Sequence, residues 1–199
     1  MFPELNDNPF DCFRQWLDDA KASSQKEPTA MCLSTCSKAG VPSSRMVLLK
    51  QADEDGFVFY THYTSQKSRE IAENPNVALS FYWNMLDRQV RVTGQAAKVS
   101  DTESDAYFAS RDRKSRLGAW ASKQSTPLKG GMKTLLADVA KVTAKYPVGD
   151  IPRPPHWGGW RIQPFSIEFW QQGEFRIHKR IRFTRETLES DWVAKFLYP

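Results

Sequence analysis

The stretch Ala30–Tyr63, AMCLSTCSKAGVPSSRMVLLKQADEDGFVFYTHY, decides the fold class. Ala30 to Cys36 is a strand-like run that ends in the turn signal Lys38-Ala39-Gly40, and Ser43 to Gln51 is a second such run. Asp55-Gly56 marks a hairpin turn, and Phe57 to Tyr63 forms the third run. Three consecutive strands joined by short turns predict an antiparallel sheet. Further strands are expected over Val77 to Trp83, Gln89 to Val99, Trp157 to Gln163, Ser166 to Gln171 and Phe175 to Phe183.

Helices fit around these strands. Asn8 is a suitable N-cap and Pro9 a suitable first helical residue, with Phe10, Phe13, Leu17 and Ala20 recurring at helical spacing to about Ala22. Ser65 to Glu73 reads as a short helix. Ser100-Asp-Thr-Glu103 is a capping box that should open a helix from Asp101 to about Ser110. Lys129 to Lys145 is weakly amphipathic, and the four prolines between Pro147 and Pro155 predict an extended connector. A doubly wound sheet would need a helix after every strand, which this order does not supply. The expected fold is mainly β, an antiparallel barrel with peripheral helices in one domain over residues 1–199, with an N-terminal helical segment over 1–25.

Composition narrows the function classes. The chain has 199 residues, 40% of them hydrophobic, enough for one substantial core. No run approaches the roughly 18 apolar residues of a membrane helix. Met1 to Asn8 carries acids and no apolar core, so it does not read as a secretory signal. Cys12, Cys32 and Cys36 lack a CxxC spacing and read as reduced thiols, which predicts a cytoplasmic protein. No histidine is paired with a cysteine at ligand spacing, so no metal site is expected. The net charge of +5 suits nucleic acid or a small phosphorylated ligand.

No P-loop, GxGxxG or GxSxG is present, so a phosphate must be held by side chains. Three segments place cations where that could happen. In Ser44-Arg45-Met46-Val47-Leu48-Leu49-Lys50, alternation puts Arg45 on one side of a strand and Lys50 on the other; solvated strand ends would explain them equally. Tyr107, Arg111 and Ser115 fall on one stripe if a single helix spans them, either a phosphomonoester clamp or a solvated basic face. Arg176, His178 and Arg180 point the same way if Phe175 to Phe183 is one strand. A shared anionic ligand accounts for that repulsive arrangement, and a nucleic-acid backbone would also serve.

In this order the segments resemble the pyridoxamine 5′-phosphate oxidase family from about Asn8 to Trp192. The likeness is carried by Ala30-Met-Cys-Leu-Ser-Thr35, Ser44 to Lys50, Asp55-Gly-Phe-Val-Phe-Tyr-Thr61, Phe81-Tyr-Trp83, Arg88-Gln-Val-Arg-Val92, Gln124-Ser125, Trp157-Gly-Gly159 and Glu168-Phe-Trp170. The resemblance implies the FMN-binding split barrel, a Greek-key antiparallel barrel built as a homodimer with FMN at the subunit interface. It implies that strands within 157–199 complete the site.

By this resemblance Arg45, Met46, Val47 and Leu48 line the flavin, with Tyr60, Thr61, Gln66, Lys67, Gln89, Gln124, Ser125, Trp170 and Arg180 completing the cofactor site. Lys50, Tyr107, Arg111 and Ser115 would hold the substrate phosphate, and Arg176 and His178 would sit over the substrate ring. The implied chemistry is oxidation of pyridoxamine or pyridoxine 5′-phosphate at its C4′ carbon, the flavin taking a hydride and dioxygen reoxidising it to give hydrogen peroxide. Imidazoles titrate near neutral pH, which makes His178 the natural proton acceptor, while Arg176 would favour developing negative charge.

The chain departs from the family pattern at three places: Gln66-Lys67 replaces Arg-Lys, Lys179 replaces an acid, and the terminus is Phe196-Leu-Tyr-Pro199 rather than Arg-Leu-Ala-Pro. Three other readings compete. One is a phenazine-type FMN oxidase, against which the retained clamp argues. The second is a non-catalytic flavin or pyridoxal phosphate carrier. The third is a colourless single-strand nucleic-acid binder whose affinity falls steeply with salt.

Overall fold

The computed structural model describes residues 1–199. Helix α1 (Pro9–Ala22) starts where the sequence places it, with the Asn8 side chain accepting from the backbone N–H groups of Phe10 and Asp11. Then follow strands β1 (Ala30–Cys36), β2 (Pro42–Leu48), β3 (Gln51–Asp53) and β4 (Gly56–His62), and helix α2 (Gln66–Glu73). Next come β5 (Asn76–Trp83), β6 (Arg88–Lys98), and helices α3 (Asp101–Ser110), α4 (Arg113–Ala121) and α5 (Met132–Lys145). The chain closes with β7 (Trp157–Gln171), β8 (Lys179–Thr184) and β9 (Val193–Phe196).

All strand pairs are antiparallel, and the sheet runs β2-β1-β5-β6-β7-β4-β3, with β8 joined to β7 and β9 to β8. The fold is therefore mainly β, a curled antiparallel half-barrel with helices around it. Alternation sends one set of side chains inward: Met31 and Leu33, Leu79 and Phe81, Val90 and Val92, Ile167 and Phe169 are fully or almost fully buried. Helix α1 plugs this concave face. Phe13 packs edge-on to Phe57 and Phe81 at centroid separations of 4.9 and 5.0 Å, and each such buried ring contributes about 1.5–3 kcal/mol. A smaller core of Phe108, Leu117, Ala119, Ile151 and Trp157 ties α3 and α4 to the start of β7. No helix is long and apolar enough to cross a membrane.

Four sequence expectations need correction. The second strand does not run to Gln51; it breaks after Leu48 and resumes as β3, and at the break Leu49 still bonds to Thr29 while Lys50 bonds across to Val58 of β4. Trp157 to Gln163 and Ser166 to Gln171 form one strand, because Pro164 is absorbed in a bulge opposite Gly94 rather than ending it. Tyr107 to Ser115 is not one helix: α3 ends at Ser110, and Asp112 caps a separate α4 by accepting from the Ser115 N–H.

Phe175 to Phe183 is not one strand either. Residues Glu174–Arg176 form a 3-10 turn with Phe175 and Arg176 in the left-handed region at φ 54° and 64°. Antiparallel pairing of Gln171 with Lys179 requires the chain to reverse between them. Only Arg180 of the three expected cations lies on β8.

The bulge makes a stability prediction. A Cβ at Gly94 would lie 2.1 Å from the Gln163 carbonyl oxygen and 2.8 Å from the Pro164 Cα. Gly94→Ala should destabilise the protein by about 1–3 kcal/mol in urea unfolding, since backbone must move to admit the methyl. An unchanged midpoint would show that the bulge relaxes freely.

Candidate active site

A cavity of about 820 Å³ opens at the edge of the sheet between β2, β4, the start of α2 and the α3–α4 junction. Strand β2 supplies Arg45, Met46, Val47 and Leu48, and the β2–β3 turn adds Lys50. Tyr60 and Thr61 come from β4, Gln66 and Lys67 from α2, and Gln124 and Ser125 from the segment after α4. Tyr107, Arg111 and Ser115 form the opposite wall with Trp157. Breaking the expected helix at Arg111 does not scatter these three; the corner folds them onto one wall.

Lys67 has its side chain in the wall rather than in solvent, with the residue only 7% exposed. Its ammonium donates to Thr61 Oγ1 at 3.2 Å, Ser65 Oγ at 3.3 Å and Gln124 Oε1 at 3.3 Å, all neutral oxygens. The Thr61 hydroxyl in turn donates to Gln124 Oε1 at 3.0 Å, which fixes that amide in place. Burial, with the neighbouring Arg45 charge, pushes Lys67 down to about 8. Arg45 is satisfied differently. Its guanidinium donates to Thr35 Oγ1 at 2.6 Å, to the Leu33 and Ser43 carbonyls, and to Glu70 at 3.3 Å. Burial alone would raise the Glu70 carboxyl, but hydrogen bonds from Ser43, Thr35 and Gln66 and the Arg45 charge outweigh it and hold it at about 2.

Arg111 forms no ion pair. Its guanidinium carbon lies 4.8 Å from the Trp157 ring centroid, and its Nη1 is buried without a hydrogen-bond partner. Asp112, next in the chain, is spent capping α4. A buried guanidinium nitrogen with no acceptor is costly unless a ligand supplies one. Behind it, Tyr60 stacks on Tyr107 at 3.9 Å, and the glycines of Trp157-Gly-Gly159 admit the neighbouring rings. A Cβ at Gly159 would lie 2.8 Å from the Tyr60 ring and one at Gly158 would lie 2.2 Å from the Tyr63 hydroxyl.

The remaining expected site residues lie elsewhere. Gln89, Trp170 and Arg180 form one cross-strand row over β6, β7 and β8, away from the cavity lining. His178 sits 4.7 Å from the Trp170 ring and accepts at Nδ1 from the Gly173 N–H, while Arg176 is exposed at the hairpin tip. Arg180 donates to Glu168 at 3.0 and 2.8 Å and to the Tyr198 carbonyl at 2.9 Å. Glu168, 4% exposed, also takes Arg91 at 2.6 Å. One chain thus presents two polar clusters that do not share a cavity. The sequence expectations did not include Glu70 and Glu168 as partners of the cations or Trp157 as part of the wall; Trp157-Gly-Gly159 and Glu168-Phe-Trp170 carried the family likeness but no such role.

Residues 17–146 match the pyridoxamine 5′-phosphate oxidase family, and residues 157–199 match the pyridoxine 5′-phosphate oxidase C-terminal dimerisation region. The chain belongs to the pyridoxamine 5′-phosphate oxidase family. Its relatives include the pyridoxine/pyridoxamine 5′-phosphate oxidase of Brucella canis, 55% identical over 191 residues, covering 96% of this chain and 94% of that protein. The enzyme of the same name from Brucella melitensis biotype 1 is likewise 55% identical, covering 96% and 91%.

Among solved structures of the family fold, PhzG from Burkholderia lata 383, in complex with tetrahydrophenazine-1-carboxylic acid, superposes with a TM-score of 0.92 at 33% identity, covering 100% of this chain and 98% of that one. A pyridoxamine 5′-phosphate oxidase-related, FMN binding protein from Nostoc punctiforme superposes at 0.73 with 17% identity, covering 98% and 100%, which shows a shared split-barrel fold.

The uncompensated lysine gives a signed prediction. Below pH 8 Lys67 is protonated in folded and unfolded chains alike, so the folded chain bears the full desolvation penalty. Between about 8 and 10.5 the folded chain loses this proton first, and the penalty fades as pH rises. Lys67→Met should therefore stabilise the ligand-free protein at pH 7 by on the order of 1–3 kcal/mol, with a smaller gain at pH 9.5. Urea unfolding at both pH values checks it, and an equal gain at each would contradict the account.

Proposed function

We propose that this chain binds FMN and oxidises pyridoxamine or pyridoxine 5′-phosphate to pyridoxal 5′-phosphate, using dioxygen and releasing hydrogen peroxide. The observation that carries this reading is a single cavity holding two cations, the buried Lys67 and the half-buried Arg111, that no carboxylate neutralises. Two ligands that each bring a phosphate ester answer that arrangement. The family membership and the 55% identity to enzymes of that name support the same reaction.

The donor set fits FMN. Lys67 and Arg45 would hold its phosphate, with Gln66, Gln124, Ser125 and Thr61 as neutral donors and acceptors around it. Met46, Val47 and Leu48 offer a strand edge against the ring, and Tyr60 the neighbouring wall. Lys50, Tyr107, Arg111 and Ser115 would take the substrate phosphate. Bound FMN supplies the two-electron acceptor, which dioxygen then regenerates. With pyridoxamine 5′-phosphate, water and dioxygen as reactants, the products are pyridoxal 5′-phosphate, ammonia and hydrogen peroxide.

The second cluster completes the site from a partner copy in a homodimer. The match of 157–199 to a dimerisation region and the outward hairpin, with Phe175 90% exposed, support this arrangement. Gln89, Trp170 and Arg180 would then reach the cofactor. Arg176 would hold the substrate ring, and His178 would take the proton from its amine or alcohol. Glu168 would hold the Arg180 guanidinium in place for that contact. The three free cysteines fit a reducing, cytoplasmic setting.

Purified protein should be yellow. Anaerobic pyridoxamine 5′-phosphate should bleach the flavin bands, and air should restore them with hydrogen peroxide formed. Bands that never bleach would leave a carrier, and a colourless protein would end the proposal. The PhzG likeness favours one second reading: bleaching by a reduced phenazine carboxylate, and not by pyridoxamine 5′-phosphate, would move the chain there. Arg111→Ala should raise the KM for the phosphorylated amine roughly ten- to hundredfold. His178→Ala should lower kcat on the order of a hundredfold, and wild-type turnover in that variant would remove the proton role.

A further inference from the structure

We propose that Trp157 is a positioning residue for the phosphate ester, serving as the neutral platform on which Arg111 and Tyr107 are held; this rests on the substrate reading above. Most other partly buried arginines are oriented by carboxylates, and Arg113 and Arg185, which are not, spend their donors on backbone carbonyls. Arg45, Arg88, Arg153, Arg161 and Arg180 each have one at 3.3 Å or closer. Arg111 has none, and it is the one that faces the cavity with a buried, unpartnered Nη1. What orients it instead is the indole face, 4.8 Å from the guanidinium carbon, with the Phe108 ring at 5.7 Å. The same indole lies parallel to the Tyr107 ring, 4° between planes at 6.2 Å, so one side chain underlies two members of the clamp.

The chemistry explains why a ring stands where an acid would be the common choice. A carboxylate would occupy the in-plane N–H donors and cancel the charge that an incoming phosphate needs. Stacking on a π face uses neither: the attraction is to the ring quadrupole, and all five N–H donors stay in the guanidinium plane. The platform is itself rigid. Trp157 is 4% exposed and pairs with His62 at the first position of β7. Its backbone N–H donates to the Pro154 carbonyl at 3.0 Å, its backbone carbonyl accepts from Arg153 at 2.7 Å, and Phe108 packs against its ring at 5.1 Å.

The test uses the full-length, FMN-loaded protein with Trp157→Leu and Trp157→Phe. The kcat/KM ratio for pyridoxamine 5′-phosphate over unphosphorylated pyridoxamine should fall roughly five- to thirtyfold in Trp157→Leu, mostly through KM, with Trp157→Phe in between because it keeps a smaller π face. Inorganic phosphate, as a competitive inhibitor, should weaken by the same factor. A fall in activity on both substrates alike, or an unchanged ratio, overturns the inference. Should Trp157→Leu fail to fold, a double-mutant cycle of Trp157→Phe with Arg111→Lys decides, since additive losses would mean that the two side chains act separately. Wild-type protein that ignores pyridoxamine 5′-phosphate would count against the proposed function instead. Calorimetric binding of inorganic phosphate to wild type and Trp157→Phe would then still report on the platform, with equal affinities overturning it.

Discussion

Everything at the cavity depends on taking cations out of water without giving each one a carboxylate. A buried ammonium or guanidinium costs several kcal/mol unless it is paired or hydrogen-bonded. The chain uses two solutions side by side. Some cations are neutralised, as Arg45 is by Glu70 at the cavity and Arg180 by Glu168 in the second cluster. Others are held by neutral groups, Lys67 by three side-chain oxygens and Arg111 by an aromatic face. The second solution is less stable on its own, and it leaves unspent charge where an anion can arrive.

The sheet makes this affordable by separating its faces. The inward residues of β1, β5, β6 and β7 form one dense aromatic and aliphatic core against α1. The outward positions are left to polar side chains, so Gln89, Glu168, Trp170 and Arg180 gather on one surface while the cavity forms at the β2–β4 edge. A rigid sheet holds both clusters, but the curvature of one chain does not bring them together. In the proposed homodimer a two-fold axis would do so, each copy lending its hairpin to the other's cavity.

Much of this was readable in the residue order. The strand runs from Ala30 to His62, the Asn8-Pro9 helix start and the Ser100 capping box each carry a local physical signal, and each element begins within a residue or two of its expected place. What stayed hidden had no local signal. Phe175 and Arg176 adopt left-handed backbone although neither residue type favours it; the pairing of β7 with β8 imposes it. The two strands expected on either side of Pro164 are one, because the bulge opposite Gly94 that joins them is a property of two strands. Helix α4 was masked by the basic run Arg111 to Arg116, whose order is set by an Asp112 cap and by Leu117 and Ala119 in the small core. The cations were legible as candidates. Which of them would be neutralised was not, since Glu70 and Glu168 meet theirs only in the fold.

The departure at Gln66 shows how this accounting works out at the cofactor end of the cavity. Gln66 Nε2 donates to Glu70 Oε1 at 2.8 Å, while Glu70 Oε2 takes Ser43, Thr35 and Arg45. The Arg45 and Glu70 charges cancel, so Lys67 is the net cation at this end, where the family's usual arginine would add a second. At the other end Lys50 and Arg111 stand without a paired acid, Asp112 being committed to the α4 N-terminus. The cavity is therefore more positive on the side that the proposed function assigns to the substrate phosphate. In the proposed reading, a neutral amide at the flavin end and an unpaired Arg111 at the clamp would together favour a phosphorylated substrate over an unphosphorylated one.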